Sequence, residues 1–289
     1  MRSTAIYKLT TPQGIITFAQ STDYWITSIK GLSTTTDVST TQYAGQIGTT
    51  VNSLSVQPKK ITVTGTIGGD VELRRQQLLD VLTPGAKAHL QIIDGTKDWY
   101  IDGIVQACPD IGDGEVLQGY QFILYCAYPY FRQADVSYQL AGLIPLFRTP
   151  FYTGGTWRIS DFTPDLFKLI PNLGNIKMAF KVIFYARAQV VCPAIYNADK
   201  SSYIKTTITL AAGDMLTIST IDADKDAGNG VLLVTAAGVQ SNAYKYIAPG
   251  SDLSMTIAPG GNVMVAAATE NTSNLNCTLI APGGERHSL

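Results

Sequence analysis

The run Asp222-Ala-Asp224-Lys-Asp226-Ala-Gly228-Asn-Gly230 is the stretch whose residue types and spacing come nearest to a metal site. Carboxylates at alternate positions open a calcium loop, because a turning chain can bring their oxygens round one cation. Here the turn glycine falls at the seventh place instead of the sixth, and Leu233 stands where the closing Glu belongs. The flanks read as strands, so the run is expected to be a solvated hairpin tip without a metal. Hydrolytic chemistry lacks its parts as well. An activated Ser or Cys usually needs a histidine base. The chain has His89, in a strand pattern beside Leu90, and His287, expected in a frayed terminal stretch. The pairs Asp110/Asp113 and Asp214/Asp222 would suit a glycosidase only if folding set them about 5 or 9 Å apart. The glycines at 65–69 and 44–48 lack the lysine of a phosphate loop. Cys108, Cys126, Cys192 and Cys277 are too scattered for a zinc knuckle and read as buried free thiols from a reducing cytoplasm. No catalytic residue, cofactor site or metal ligand emerges, and the expectation is a non-enzyme.

Composition points the same way. Of 289 residues, 45% are hydrophobic and only 15% charged, so cores can form but the surface must be built from Thr, Ser, Gln, Asn and Tyr or be covered by partners. The net charge is −1, and neither half of the chain is basic, which argues against sequence-specific nucleic-acid binding. The densest basic pairs, Lys59-Lys60 and Arg74-Arg75, are expected on solvated faces. The residues after Met1-Arg2 are mixed and polar, unlike a signal peptide. The apolar stretch 263–268 is far short of the roughly twenty residues that span a bilayer, so no membrane insertion is expected.

These residues must be positioned by strands. Segments 6–9, 15–18, 24–29, 54–56, 60–67, 89–93, 99–105 and 119–126 alternate or carry β-branched and aromatic residues, with turn chemistry between them. In 60–67 the apolar Ile61, Val63 and Ile67 share one parity with Gly65. Asp70 is placed to cap a helix over 71–82, with Val71, Leu78 and Leu82 on one side and Thr83-Pro84-Gly85 stopping it. Residues 33–50 are rich in Thr, Ser, Gly and Gln and cannot supply a core, so they read as an arm or extended hairpin that either moves in solvent or is ordered by a neighbour. Residues 133–170, with Pro145, Pro150, Gly154-Gly155 and Pro164, read as a connector that contributes some strands to the second domain. From 174 onward about eight strands and no helix predict a sandwich or jelly roll. The expected fold is mainly β, with domain 1–132 sandwich-like around one helix, connector 133–170, and β-sandwich domain 171–289.

In their order along the chain, these segments resemble the distal tail protein family of long non-contractile-tailed bacteriophages. The resemblance rests on the strand ending Ile29-Lys30-Gly31-Leu32, on Tyr43-Ala-Gly-Gln-Ile-Gly48, on 60–66, and on 72–82 (Glu-Leu-Arg-Arg-Gln-Gln-Leu-Leu-Asp-Val-Leu) followed by Thr-Pro-Gly. Asp94-Gly95, 99–103 and Leu124-Tyr-Cys-Ala-Tyr-Pro-Tyr-Phe131 continue it. Leu173-Gly174-Asn175, Pro193-Ala-Ile195, Leu210-Ala-Ala-Gly-Asp214 and Ile257-Ala-Pro-Gly-Gly-Asn262 look like that family's galectin-like C-terminal sandwich. The resemblance implies a homo-hexameric ring at the distal end of the virion tail, made in the host bacterial cytoplasm. That ring would join the tail tube protein to a tail-tip or hub protein, offer receptor-binding or fibre proteins a point of attachment, and let DNA pass through.

Gly31, Leu32, Tyr43, Ile47 and Val51 are the expected assembly contacts, Tyr43, Ile47 and Val51 giving the polar arm scattered anchors. A ring needs one surface to meet a different surface on the next copy, and an arm reaching sideways does so. The alternative is a carbohydrate-binding sandwich used in host attachment, motivated by Tyr185, Tyr196, Tyr203, Tyr244 and Tyr246. Trp157 precedes that domain and is a poor stacking platform.

Overall fold

Alternation of buried and outward side chains organises the strands. The computed structural model describes residues 5–114, 117–145, 160–164 and 167–289. They divide into two compact units. One runs up to Ala134 and takes back Arg286–Leu289; the other is Asp135–Glu285. Both are built chiefly of antiparallel strands in sandwich-like sheets.

The first unit contains, in chain order, β1 (Ile6–Thr11), β2 (Gly14–Phe18), β3 (Tyr24–Lys30), β4 (Thr36–Thr41), β5 (Thr50–Val56), β6 (Lys59–Ile67), α1 (Val71–Val81), β7 (Lys87–Asp94), β8 (Lys97–Val105), β9 (Asp110–Ile111) and β10 (Gln118–Cys126). Its main sheet runs β2-β1-β7-β8-β10-β6-β3. One face is apolar and continuous: Leu9, Phe18, Ile61, Val63, Leu90 and Phe122 are all buried with Leu78 and Leu82 from the helix segment. Phe18 sits at the centre of an aromatic group, 6.0 Å from Tyr24, 5.9 Å from Tyr120 and 5.8 Å from Phe122 between ring centroids. Gly65 makes this possible. A Cβ there would lie 2.1 Å from the Trp25 carbonyl oxygen and 2.4 Å from the Tyr120 hydroxyl. The α1 helix starts where Asp70 accepts a hydrogen bond from the Leu73 amide at 3.3 Å, which satisfies one of the free N–H groups of the first turn.

The second unit pairs a seven-stranded sheet with a four-stranded one. The larger runs Ser160–Pro164, Asp135–Pro145, Leu275–Pro282, Lys181–Ala186, Met215–Ser219, Val231–Val234 and Gln240–Asn242. The smaller runs Lys168–Asn172, Gly260–Ala267, Ala194–Asn197 and Ser202–Lys205. Phe180, Phe184, Leu216 and Leu279 share one core with Ile195 and Met264. Two buried polar side chains within it are satisfied: Asn172 donates to the Ile176 and Ile257 carbonyls, and Thr206 to that of Pro193.

The expected connector contributes a strand to the second unit, as its reading implied: Asp135–Pro145 is registered along Leu275–Pro282. Other details depart from the sequence expectation. Arg286–Leu289 belongs with the first unit, although the expected second domain ran to 289. Leu54-Ser-Val56 extends the arm hairpin instead of rejoining the main sheet. The expected strand at 254–257 makes only one isolated bridge, Met178 to Ile257. The second unit also contains helix: one turn at Asp222–Asp226 and short 3-10 turns at Tyr244–Tyr246 and Thr272–Asn274.

Candidate assembly site

The arm is a two-stranded hairpin. β4 and β5 pair with each other and with no other strand among the described residues, with a bulge between Ser39 and Thr40. Nearly every side chain on it is exposed. A lone hairpin is marginal in water, since its cross-strand bonds barely exceed the entropy of ordering them. Here the chain closes it at the base, where the Gln57 amide donates to the Thr35 carbonyl at 3.0 Å.

The five expected contact residues separate into root and tip. Gly31 and Leu32 form the root. Gly31 has φ +83°, and a Cβ there would lie 1.9 Å from the Lys60 carbonyl oxygen, so the departure from β3 depends on glycine. Leu32 packs on the core of the first unit and lines a cavity of about 500 Å³ together with Tyr7, Ile29, Trp99 and Leu289. Tyr43 and Ile47 lie in the tip loop and Val51 on β5; all three are exposed, Ile47 completely. Three further apolar residues were missed by the sequence reading. Val38 and Leu54 face each other across the hairpin, Leu54 with 67% of its surface exposed, and Val56 follows two positions on. Their alternation along β5 is a signal that the segment has an apolar face, and the first unit leaves that face uncovered. Covering an exposed aliphatic side chain removes roughly 1.5–3 kcal/mol of unfavourable hydration.

The root also holds a residue the sequence reading misplaced. Lys59, expected on a solvated face, is only 3% exposed. Its parity in β6 is that of Ile61 and Val63, so the strand turns it inward. The ammonium donates to the Leu32 carbonyl at 3.0 Å and the His287 carbonyl at 2.9 Å, and lies 4.4 Å from the centroid of the Phe131 ring. Burial drives its pKa down to about 8, with the neighbouring Cys126 pulling the other way. Of the other basic pair, Arg74 is bound to Asp23 at 2.7 Å.

The remaining chemical candidates are occupied structurally. Asp222 pairs with Lys225 at 2.8 Å. Burial disfavours charge on Asp224, but hydrogen bonds from the Ser219 hydroxyl and Lys181 outweigh it and hold the carboxyl below its ordinary value. Asp214 accepts from the Ala211 and Ala236 amides, which makes it a turn-forming residue. His89 makes a 2.7 Å cross-strand pair with Asp102, both partly exposed. Among the described residues no group of three or more His, Cys, Asp or Glu could hold a metal, and no helix is long and apolar enough to cross a membrane. Cys126 and Cys277 are buried free thiols as expected, Cys192 is half-buried, and Cys108 is exposed, against the expectation.

The five tyrosines of the carbohydrate reading do not share one surface. Tyr185 lies on the larger sheet; Tyr196 and Tyr203 are cross-strand neighbours on the smaller, 6.0 Å apart; Tyr244 and Tyr246 pack partly against the core. Trp157 lies outside the described residues.

No protein-family model matches the chain, and no curated protein matches it. Solved structures do. A phage P2 baseplate in its activated conformation with Ca is 12% identical, with a TM-score of 0.48 and 98% of each chain covered. The corresponding phage p2 baseplate with Sr is also 12% identical, with a TM-score of 0.47 and coverage of 96% of this chain and 97% of that one. The crystal structure of the SPP1 Dit (gp 19.1) protein, described as a paradigm of the hub adsorption apparatus in Gram-positive infecting phages, has a TM-score of 0.64 at 12% identity, covering 96% of this chain and 98% of that one. The fold of this chain is therefore similar, over almost its whole length, to that of the SPP1 Dit protein.

Proposed function

We propose that this chain is a structural component of a phage tail tip. In this reading its first unit closes into a hexameric ring at the distal end of the tail tube. The ring joins the tube to the tip or baseplate protein and leaves an opening for DNA. The second unit serves as the point of attachment for receptor-binding or fibre proteins. The observation that carries the reading is the likeness of fold to the SPP1 hub protein over almost the whole of both chains. Two sandwiches of different size, matched together and in order, are a more demanding coincidence than one common β-sandwich. The arm supports the assembly part of the proposal: it shows an apolar face that its own unit does not cover, as expected of a segment that lies on a neighbour. The copy number of six comes from the resemblance to the distal tail protein family.

Native mass spectrometry with negative-stain imaging, on the protein alone and with its tube and tip partners, tests the proposal. Closed rings of six are expected in at least the second condition. A particle that stays monomeric, or forms only two-fold dimers in both, would overturn it. Replacing Tyr43, Ile47 and Val51 together by Ser should weaken the rings while leaving the folded monomer within about 0.5 kcal/mol of its parent, because all three side chains are exposed.

A further inference from the structure

We infer that Arg286–Leu289 acts as a strap that sets the direction of the arm, because the single backbone carbonyl of His287 binds both of the arm's roots. On the entry side, two residues before β4, the Thr34 hydroxyl donates to the His287 oxygen at 2.6 Å and lies 3.3 Å from that of Pro129. On the return side, three residues after β5, the Lys59 ammonium donates to the same His287 oxygen at 2.9 Å and to Leu32 at 3.0 Å. The hairpin's own ladder holds its two strands to each other. It cannot hold the pair at a fixed angle to the main sheet, since a ladder constrains only the strands it joins. The angle is decided at the roots, and there both strands are tied to one atom.

The strap is itself held. The Arg286 guanidinium lies 5.0 Å from the centroid of the Trp99 ring, the His287 ring meets Tyr130 edge-on at 5.4 Å, and Leu289 packs on the core of the first unit. Among the described residues no carboxylate pairs with Lys59. Its charge is therefore met by carbonyl dipoles and the Phe131 ring, all of which depend on the strap and its neighbours staying in place. A buried ammonium is costly wherever a simple apolar residue would fill the same space. Its use here gives a two-carbonyl clamp that a methylene chain alone could not make. The inference concerns one copy of the chain and does not depend on ring formation.

The test measures the arm's direction within a single copy. Spin labels are placed at Ile47→Cys in the tip and Gln121→Cys on the main sheet, in a background with Cys108→Ser and Cys192→Ser. Labelled protein is diluted in unlabelled protein so that only distances within a copy are read. Pulsed electron paramagnetic resonance should give one narrow distance distribution for the parent. It should broaden in Thr34→Val, broaden further in Lys59→Met, and broaden most when the chain is ended after Arg286. Adding Lys59→Met and Thr34→Val to the shortened chain should broaden it less than they broaden the parent, because the contacts through the His287 carbonyl are already gone and only those to Leu32 and Pro129 remain to be lost. If the shortened chain, with its circular dichroism unchanged, keeps the parent's narrow distribution, the strap does not set the arm and the inference fails. Should Lys59→Met not fold, Thr34→Val and the shortened chain still decide the matter. Loss of rings with an unaltered distribution would count against the strap alone, and a broadened distribution in a protein that never forms rings would count against the assembly reading alone.

Discussion

Replacing Lys59 by Met should make the stability of the first unit depend less steeply on pH between 7 and 9. In the native protein the pKa of Lys59 is lowered from 10.5 to about 8 by burial. Below pH 8 both native and unfolded chains carry the proton, and the native state bears the full cost of a buried charge, about 3 kcal/mol for a shift of this size. Between pH 8 and 10.5 the unfolded chain still binds a proton that the native state has released, so stability rises with pH. Integrating that difference from pH 7 to pH 9 gives about 1.3 kcal/mol. The buried thiol of the same unit works in the opposite direction. Burial raises Cys126 from 9.0 to about 11, so the native state holds a proton that the unfolded chain loses as pH passes 9.0. The Lys59 charge lowers that thiol and its removal raises it further, so up to pH 9 the native thiol stays protonated in both proteins and their difference isolates Lys59. Met keeps most of the apolar stem but donates nothing to Leu32 or His287, which adds a pH-independent cost of roughly 1–3 kcal/mol. Urea unfolding of both proteins at pH 7, 8 and 9 should therefore show the parent gaining about 1.3 kcal/mol on the variant across that range. A difference that stays flat with pH would refute a buried, depressed Lys59. A difference that moves the other way would mean the ammonium has found a carboxylate partner.

Other consequences come from the same structure. Gly31→Ala should cost roughly 2–4 kcal/mol in the first unit, read by its melting transition, since it forces both a positive φ and a clash with the Lys60 carbonyl; an unshifted transition would show that the root can relax. Phe122→Ala and Phe180→Ala should each cost about 3–5 kcal/mol, but calorimetry should show them lowering different transitions, because the two rings sit in separate cores; a single transition lowered by both would mean the units unfold together. Calcium should leave the melting temperature of the parent, and of Asp222→Asn/Asp224→Asn/Asp226→Asn, unmoved relative to chelator, because Asp222 and Asp224 already answer to Lys225, Ser219 and Lys181. A calcium-dependent rise confined to the parent would reveal a site.

Much of the fold was legible because strands and helices follow local periodicity. Ile61, Val63 and Ile67 share a parity, and one face of β6 is buried accordingly. Asp70 before an apolar repeat predicts α1, and Thr83-Pro84 predicts its end. The polarity of 33–50 foretold a segment without a core of its own, and the hairpin's exposure agrees. What could not be read locally was which distant strand or segment would cover which face. Lys59 has the parity of its apolar neighbours, yet a lysine beside Lys60 reads as surface. Its burial depends on the His287 carbonyl, 228 positions away along the chain. Asp135–Pro145 falls in a stretch that Pro145, Pro150, Gly154-Gly155 and Pro164 mark as irregular, and it is a strand because Leu275–Pro282 supplies the ladder. Periodicity shows which side chains a segment can turn inward. Only the long-range contacts of the folded chain decide what lies there, because burial and hydrogen bonding depend on distance in space, to which separation in sequence is an unreliable guide.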